Sequence, residues 1–149
     1  MAQIRRAMQD DVPVLLPLVS AYWSFECLSG FERDTVSAQL ERLLANSSLG
    51  AAWVAVEDGA VVGYLLAVYV FSLEHLGVTA EVDEFFVLPE KRRSGAGSKL
   101  LLAAEREFSR RGCTNVSLQL SKDNKLAREF YSRHGYTERS KYELLDKTL

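Results

Sequence analysis

The sequence predicts a mixed α/β fold of helices packed on a sheet, with elements in the order βααβββαβαβ. Stretches with apolar residues at helical spacing alternate with stretches that are apolar at every second position. A long apolar run, residues 60–71, reads as a central strand covered on both faces. A strand, a glycine-bearing loop and a helix then follow one another over residues 79–111.

Residues 4–7 form a first short strand. Asp10 and Asp11 offer an N-cap, and Pro13 suits a first helical turn, where its missing N–H has no bond to lose. Through Phe25, the residues Val12, Leu15, Leu16, Val19, Tyr22 and Trp23 recur at helical spacing. Pro17 is expected to bend or delay this helix. Asp34 is placed to cap a second helix that carries Val36, Leu40, Leu43 and Leu44 on one face. The period then shortens. Residues 51–57 read as a strand and Asp58-Gly59 as a hairpin turn, because glycine accepts positive φ without a Cβ clash. The central strand over 60–71 follows, then a loop over 72–78 and a strand over 79–88 stopped by Pro89. A helix over 98–111 buries Leu100, Leu101, Ala104 and Phe108 and ends at Gly112, with Arg110 and Arg111 in its last turn. Val116, Leu118 and Leu120 alternate with Ser117 and Gln119 in a half-buried strand. Asp123 or Asn124 caps a short helix to Arg133, with His134 closing it and Gly135 as its stop. Residues 136–145 can supply one or two final strands.

The 149 residues predict one domain, 1–149, at about 150 residues per domain. An apolar fraction of 48% and a charged fraction of 26% exclude disordered, collagenous and coiled-coil classes. A net charge of -2 argues against nucleic acid as a partner. The longest apolar run falls short of the roughly 20 residues of a membrane span, and no apolar stretch follows Arg5 and Arg6 as in a signal peptide. Cys27 and Cys113 form no CxxC motif and sit in no Cys/His cluster, so they read as buried thiols in a reducing compartment, with no metal site. A cytoplasmic protein is expected.

The strand–loop–helix unit carries the chemistry. The N–H groups at the start of the helix after Arg92-Arg93-Ser94-Gly95-Ala96-Gly97-Ser98 have no intrahelical partners and, with the helix dipole, favour an anion. Gly95 and Gly97 allow close approach of a phosphate, and Arg92 and Arg93 can add charge-assisted hydrogen bonds. The segment is no P-loop, because Lys99 follows Ser98 outside the GxxxxGK[ST] spacing. It is no dinucleotide fingerprint, because Leu100 stands at the third glycine position.

Residues Val87 to Ser98 resemble the acetyl-CoA motif of the GNAT N-acetyltransferases, with the core [QR]-x-x-G-x-[GA]. Asn124 to Tyr131, followed by Gly135-Tyr136, resembles the second motif of that family, N-x-x-A-x-x-[FL]-Y with a later G-[FY]. The resemblance implies the GNAT fold, a mixed central sheet with splayed strands flanked by helices. It implies acetyl-CoA as co-substrate, with pantetheine pairing to the backbone of Phe85 and Val87. The pyrophosphate would rest on the N–H groups from Arg93 through Ser94, Gly95, Ala96 and Gly97 to Ser98. Asn124 would touch the pantetheine arm or cap the helix below it, and Ala127 would line the same side. The Val87 N–H would polarise the thioester carbonyl. Tyr131 would be the general acid for the leaving thiolate and would also contact the cofactor.

The attacking amine must lose a proton, and a carboxylate is the expected base. By strict alternation Glu81, Asp83, Phe85 and Val87 share one strand face, and Val82, Glu84, Phe86 and Leu88 the other. Glu84 on an apolar face would have a raised pKa. Glu84 and Asp83 both stand as candidate bases. Asp83-Glu84-Phe85-Phe86-Val87 and the glycine loop resemble the diamine (spermidine/spermine) branch of the family, as does Tyr22-Trp23-Ser24-Phe25-Glu26. That resemblance implies a small cationic amine held by Tyr22, Glu26 and Asp83, and a homodimer. Arg93 stands where that branch commonly has glycine. A protein or peptide acetyltransferase and a non-catalytic acyl-CoA-binding module are the alternative readings.

Overall fold

The computed structural model describes residues 1–149, which divide into two compact units, 1–118 and 119–149. The first unit holds β1 (Gln3–Arg6), α1 (Val12–Phe25), α2 (Arg33–Ala45), β2 (Gly50–Glu57), β3 (Ala60–Ser72), β4 (Gly77–Val87), α3 (Ala96–Arg110) and β5 (Val116–Leu118). The second holds α4 (Lys125–Arg133). The strands form one five-stranded sheet in the order β1-β2-β3-β4-β5, antiparallel except for the parallel β4–β5 pair.

The long apolar run is the central strand β3, as its composition requires. On one face, Ala52, Val54, Tyr64, Leu66 and Phe86 pack with Val12, Leu15, Leu16 and Val19 of α1 and Leu40 of α2. On the other, α3 buries Leu100, Leu101, Ala104 and Phe108, and the Phe108 ring meets Trp53 and Tyr69 edge-on. The Asp58-Gly59 turn has φ of 51° and 78°, both left-handed, as a two-residue hairpin needs.

Several expectations are corrected. Helix α1 is continuous through Pro17, its apolar face held by the core on either side. Its first turn is entered through a 3-10 turn, Gln9–Asp11, and Asp11 makes no cap bond there, because its carboxylate is bound to Arg5 and the Met8 N–H. Glu32, not Asp34, caps α2, accepting from the Asp34 and Thr35 N–H groups. Strand β4 begins at Gly77, so the expected loop shrinks to a short turn. Strand β5 stops at Leu118, short of Leu120. No strand forms after Gly135, where the polar run Thr137-Glu138-Arg139-Ser140-Lys141 offers no apolar face to bury. Cys27 is exposed and Cys113 half-buried, and both are free thiols.

One correction bears on function. In the β3–β4 ladder Leu66 opposes Glu84 and Ala67 opposes Val82, so Asp83 is an extra residue, a β-bulge. Directly opposed residues share a face. Glu84 therefore joins Leu66, Tyr64 and Phe86 on the α1 side, and Val82 joins Ala67 on the α3 side. The expected grouping of Val82 with Glu84 fails because the bulge resets the alternation.

Candidate active site

Four parts of the chain carry the predicted residues. The first is the turn after β4. Pro89 closes the strand and starts a 3-10 turn, Pro89–Lys91, after which Arg92 is extended. Arg93 and Gly95 both take left-handed backbone, with φ of 63° and 86°. An arginine at such a position is strained, which is the physical reason a glycine suits it. Helix α3 begins at Ala96, earlier than the expected Ser98, because Gly95 serves as a left-handed N-cap. That cap supplies no side chain, and the first intrahelical bond runs from the Lys99 N–H to the Gly95 carbonyl at 3.0 Å. The N–H groups of Ala96, Gly97 and Ser98 thus lack partners within the helix, as an anion-binding start requires.

The side chains around this turn brace it. Ser94 Oγ donates to the Lys91 carbonyl at 2.7 Å, and Lys91 Nζ pairs with Glu57 at 2.8 Å. Arg92 folds back on the strand. Its Nε–H donates to the Val87 carbonyl at 2.9 Å, and its guanidinium carbon stands 5.1 Å from the Phe25 ring centre and 5.4 Å from that of Phe86. The Val87 carbonyl therefore spends one lone pair on Arg92.

The second part is the C-terminal half of β4. The Leu88 N–H donates to the Val62 carbonyl at 2.9 Å. By the alternation of an antiparallel ladder, Val87 and Phe85 direct their backbone N–H and C=O groups away from β3. The pairing of β4 with β5 covers only Ala80, Glu81 and Val82.

The third observation is an acidic, aromatic-walled cluster where α1 ends over β4. Glu84 Oε1 accepts from the Tyr64 hydroxyl at 2.9 Å, and Oε2 accepts from Trp23 Nε1 at 2.8 Å. Burial raises the Glu84 pKa above the usual carboxylate range, the two hydrogen bonds oppose that rise, and the neighbouring charge acting on it, Asp83, adds to it. Asp83, on the bulge and exposed, is raised by partial desolvation. Tyr22 packs edge-on against Phe86 with ring centres 6.3 Å apart. Its pKa is pushed up to about 12 by burial and then by Glu26, Glu84 and Asp83. Tyr22 and Glu26 are four residues apart at the end of α1, which puts them on one helix face. The structure thus gathers Tyr22, Glu26, Asp83 and Glu84. Trp23 as a donor to Glu84, and Tyr64 altogether, escaped the sequence reading. The one local signal for Tyr64 is a hydroxyl-bearing ring among the apolar residues of the central strand, a signal it shares with Tyr69.

In the second unit, Asn124 Oδ1 accepts from the Ala127 N–H at 3.1 Å and so caps α4. The ring of Tyr131 meets Phe130 and Tyr136 edge-on, with centres 5.3 and 5.5 Å away. His134 ends the helix, its Nδ1 2.8 Å from the Phe130 carbonyl, and Gly135 takes φ of 87°. No group of three or more His, Cys, Asp or Glu side chains is arranged to hold a metal ion, and no helix is long and apolar enough to cross a membrane.

An outward strand edge beside a helix start with free N–H groups is an arrangement that can take an extended anionic ligand, and comparison with known proteins gives the family. Residues 15–136 match the acetyltransferase (GNAT) family model. The chain belongs to this family and is an acetyl-CoA-dependent N-acetyltransferase. It is 29% identical over 135 residues to YhfO, an uncharacterized N-acetyltransferase of Bacillus subtilis, covering 91% of this chain and 89% of that one. It is 34% identical over 85 residues to the aminoalkylphosphonate N-acetyltransferase of Salmonella typhimurium, covering 57% of this chain and 55% of the relative. Among solved structures, the aminoglycoside N-acetyltransferase AAC(6')-Iy in complex with CoA superposes with a TM-score of 0.86 at 20% identity, covering 100% of this chain and 96% of that one.

Proposed function

We propose that the chain moves the acetyl group from acetyl-CoA to a primary amine of a small cationic acceptor, polyamine-like in charge, by direct attack. The observation that carries this reading is the cluster of Glu26, Asp83 and Glu84 around Tyr22, in which Glu84 is bound by neutral donors and its charged neighbour has the same sign. An ammonium group supplies the missing positive charge. The neighbour AAC(6')-Iy is named for an aminoglycoside, an acceptor that carries several amines, whereas the aminoalkylphosphonate in the Salmonella relative's name carries an anion that this cluster would repel.

Acetyl-CoA supplies the acetyl group as a thioester. The unpartnered N–H groups of Ala96, Gly97 and Ser98 suit its pyrophosphate, with Arg93, Ser94 and Gly95 shaping the turn beneath them and Arg92 fixing the turn to β4. The outward backbone of Phe85 and Val87 suits its pantetheine arm, and the Val87 N–H polarises the thioester carbonyl. Asn124, through its remaining N–H groups, and Ala127 contact the same arm. Asp83, Glu26 and Tyr22 hold the acceptor as an ammonium. Glu84 takes the proton from the nitrogen, directly or through one water. As the C–N bond forms and the C–S bond breaks, Tyr131 gives a proton to the departing thiolate; the attacking nitrogen loses its second proton as the amide forms, and that proton returns through water to the tyrosinate, while the proton on Glu84 passes to solvent. The family match runs across the division at residue 118, which supports reading 1–149 as one N-acetyltransferase domain. A cytoplasmic homodimer with a small molecule as its partner completes the proposal.

The test is CoA thiol release from acetyl-CoA with spermidine, for wild type and Tyr131→Phe. A drop of at least about tenfold in the variant, roughly 1.4 kcal/mol in the barrier, supports the acceptor class and the acid role together. Release that is unchanged in the variant removes Tyr131 as the acid. Turnover of lysine peptides but not spermidine overturns the acceptor class, and tight acetyl-CoA binding with no turnover of any amine marks a binding module.

A further inference from the structure

We infer that Tyr64 and Trp23 are positioning residues that clamp the Glu84 carboxylate in its ionised, proton-accepting form on the α1 side of β4. The inference rests on the proposed role of Glu84 as the base.

The two donors come from different elements and use different oxygens. Tyr64 lies on β3, diagonal to Glu84 in the ladder, and is 1% exposed. Its hydroxyl therefore has a fixed direction, set by a fully packed ring, and it points at Oε1 from 2.9 Å. Trp23 lies on α1, its indole packed edge-on against Phe31 with ring centres 5.6 Å apart, and its Nε1–H reaches Oε2 at 2.8 Å. Both oxygens are thus engaged, the plane of the carboxylate is set, and each oxygen keeps a lone pair for the acceptor or a water.

The chemistry of the donors matters as much as their placement. The indole N–H can only donate, so it favours the ionised acid. The Tyr64 hydroxyl is buried beside an anion, which raises its own pKa, so it stays protonated and donates as well. Neither donor carries charge, so neither competes with an ammonium for the carboxylate. An arginine in the same place would hold Glu84 ionised but would depress its basicity and repel the acceptor. The other groups facing the site are Tyr22 and Glu26 of α1, Asp83 of β4 and Arg92, whose guanidinium sits over the Phe86 and Phe25 rings. Of these, Asp83 acts on Glu84 by charge.

The experiment follows the Glu84 side-chain carboxyl carbon by NMR across pH in the full chain, assigned by its loss in Glu84→Gln. Tyr64→Phe and Trp23→Phe each remove a donor and keep a ring in place. Each is expected to raise the Glu84 midpoint by about one pH unit, the size of a hydrogen bond to a charged group. Unchanged midpoints in both folded variants overturn the clamp. Spermidine turnover by Glu84→Gln is measured alongside. If that variant keeps full turnover while the midpoints shift, the clamp stands and the base assignment falls. If it loses turnover while the midpoints stay put, the base stands and the clamp falls.

Discussion

Gly63 sits opposite Val87 in the β3–β4 ladder, and replacing it with alanine tests how closely those strands must approach. An ideal Cβ there lies 2.9 Å from the Phe86 carbonyl oxygen, 3.0 Å from Val87 Cγ2 and 3.2 Å from Val87 Cα. Two of these atoms are backbone, so a rotamer change cannot relieve the clash and β4 itself must yield. Overpacking of this kind costs about 1–3 kcal/mol. The stiffer unfolded chain of the alanine variant returns about 0.4–1 kcal/mol. The net loss is about 1–2 kcal/mol, and at about 2–4 °C per kcal/mol for a chain of this size it lowers Tm by about 2–8 °C. The displaced stretch includes the Val87 backbone proposed to lie along the pantetheine arm, so CoA affinity is expected to fall too, by about threefold, half of a tenfold step. Gly59→Ala is the control. Its φ of +78° strains any L residue, but nothing lies within 4 Å, so it lowers stability and leaves CoA binding alone. Thermal unfolding by circular dichroism and calorimetric titration with CoA read both quantities. A Gly63→Ala protein with wild-type Tm and wild-type Kd would refute the close-approach argument.

Three further outcomes are expected. Asp11 accepts from both terminal nitrogens of Arg5 at 2.8 Å and from the Met8 N–H at 2.7 Å, and its pKa lies below the usual range, chiefly through Arg5. Its contribution is full above the ordinary aspartate value of about 3.9 and is lost as pH falls through the depressed folded value, so Asp11→Asn should cost about 1.5–3 kcal/mol at pH 7 and flatten the acid limb of urea-unfolding stability. Glu84 has the opposite sign: its folded pKa is raised, so its ionisation removes stability as pH rises through that value, and Glu84→Gln should be more stable than wild type at pH 8 by the same urea assay. Asn124→Ala removes the α4 cap, a loss of about 1 kcal/mol, and should speed hydrogen exchange in Lys125–Arg133.

Local signals were readable and long-range ones were not. The Asp58-Gly59 turn and the Leu100–Leu101–Ala104–Phe108 stripe each depend on neighbours within a few residues, and each lies where its pattern put it, whereas α3 starts two residues earlier than its pattern suggests. Glutamate is a less common cap than the aspartate two places on, yet the longer side chain of Glu32 reaches back to two N–H groups. Trp23 and Tyr64 stand 61 and 20 residues from Glu84 in sequence, and no periodicity links residues so far apart. The cost of Pro17 to a helix, about 3 kcal/mol, is an isolated-helix quantity, and α1 with its apolar face in the core draws on more than that.

The bulge is the least legible feature and the one on which the proposed acceptor site depends. Glu81-Val82-Asp83-Glu84-Phe85 contains no glycine or proline to announce it. Because Val82 and Glu84 already lie on opposite faces, deleting Asp83 would leave them adjacent in a regular ladder with both faces intact. Neither core would lose a side chain, so the deletion should melt near wild type. What it removes is the bend that a bulge imposes on β4, together with one carboxylate of the proposed acceptor cluster. Turnover with spermidine should therefore collapse in a protein that remains folded. A deletion variant that unfolds would show that the bend supports the core, and one that keeps its turnover would show that neither the bend nor Asp83 serves the acceptor.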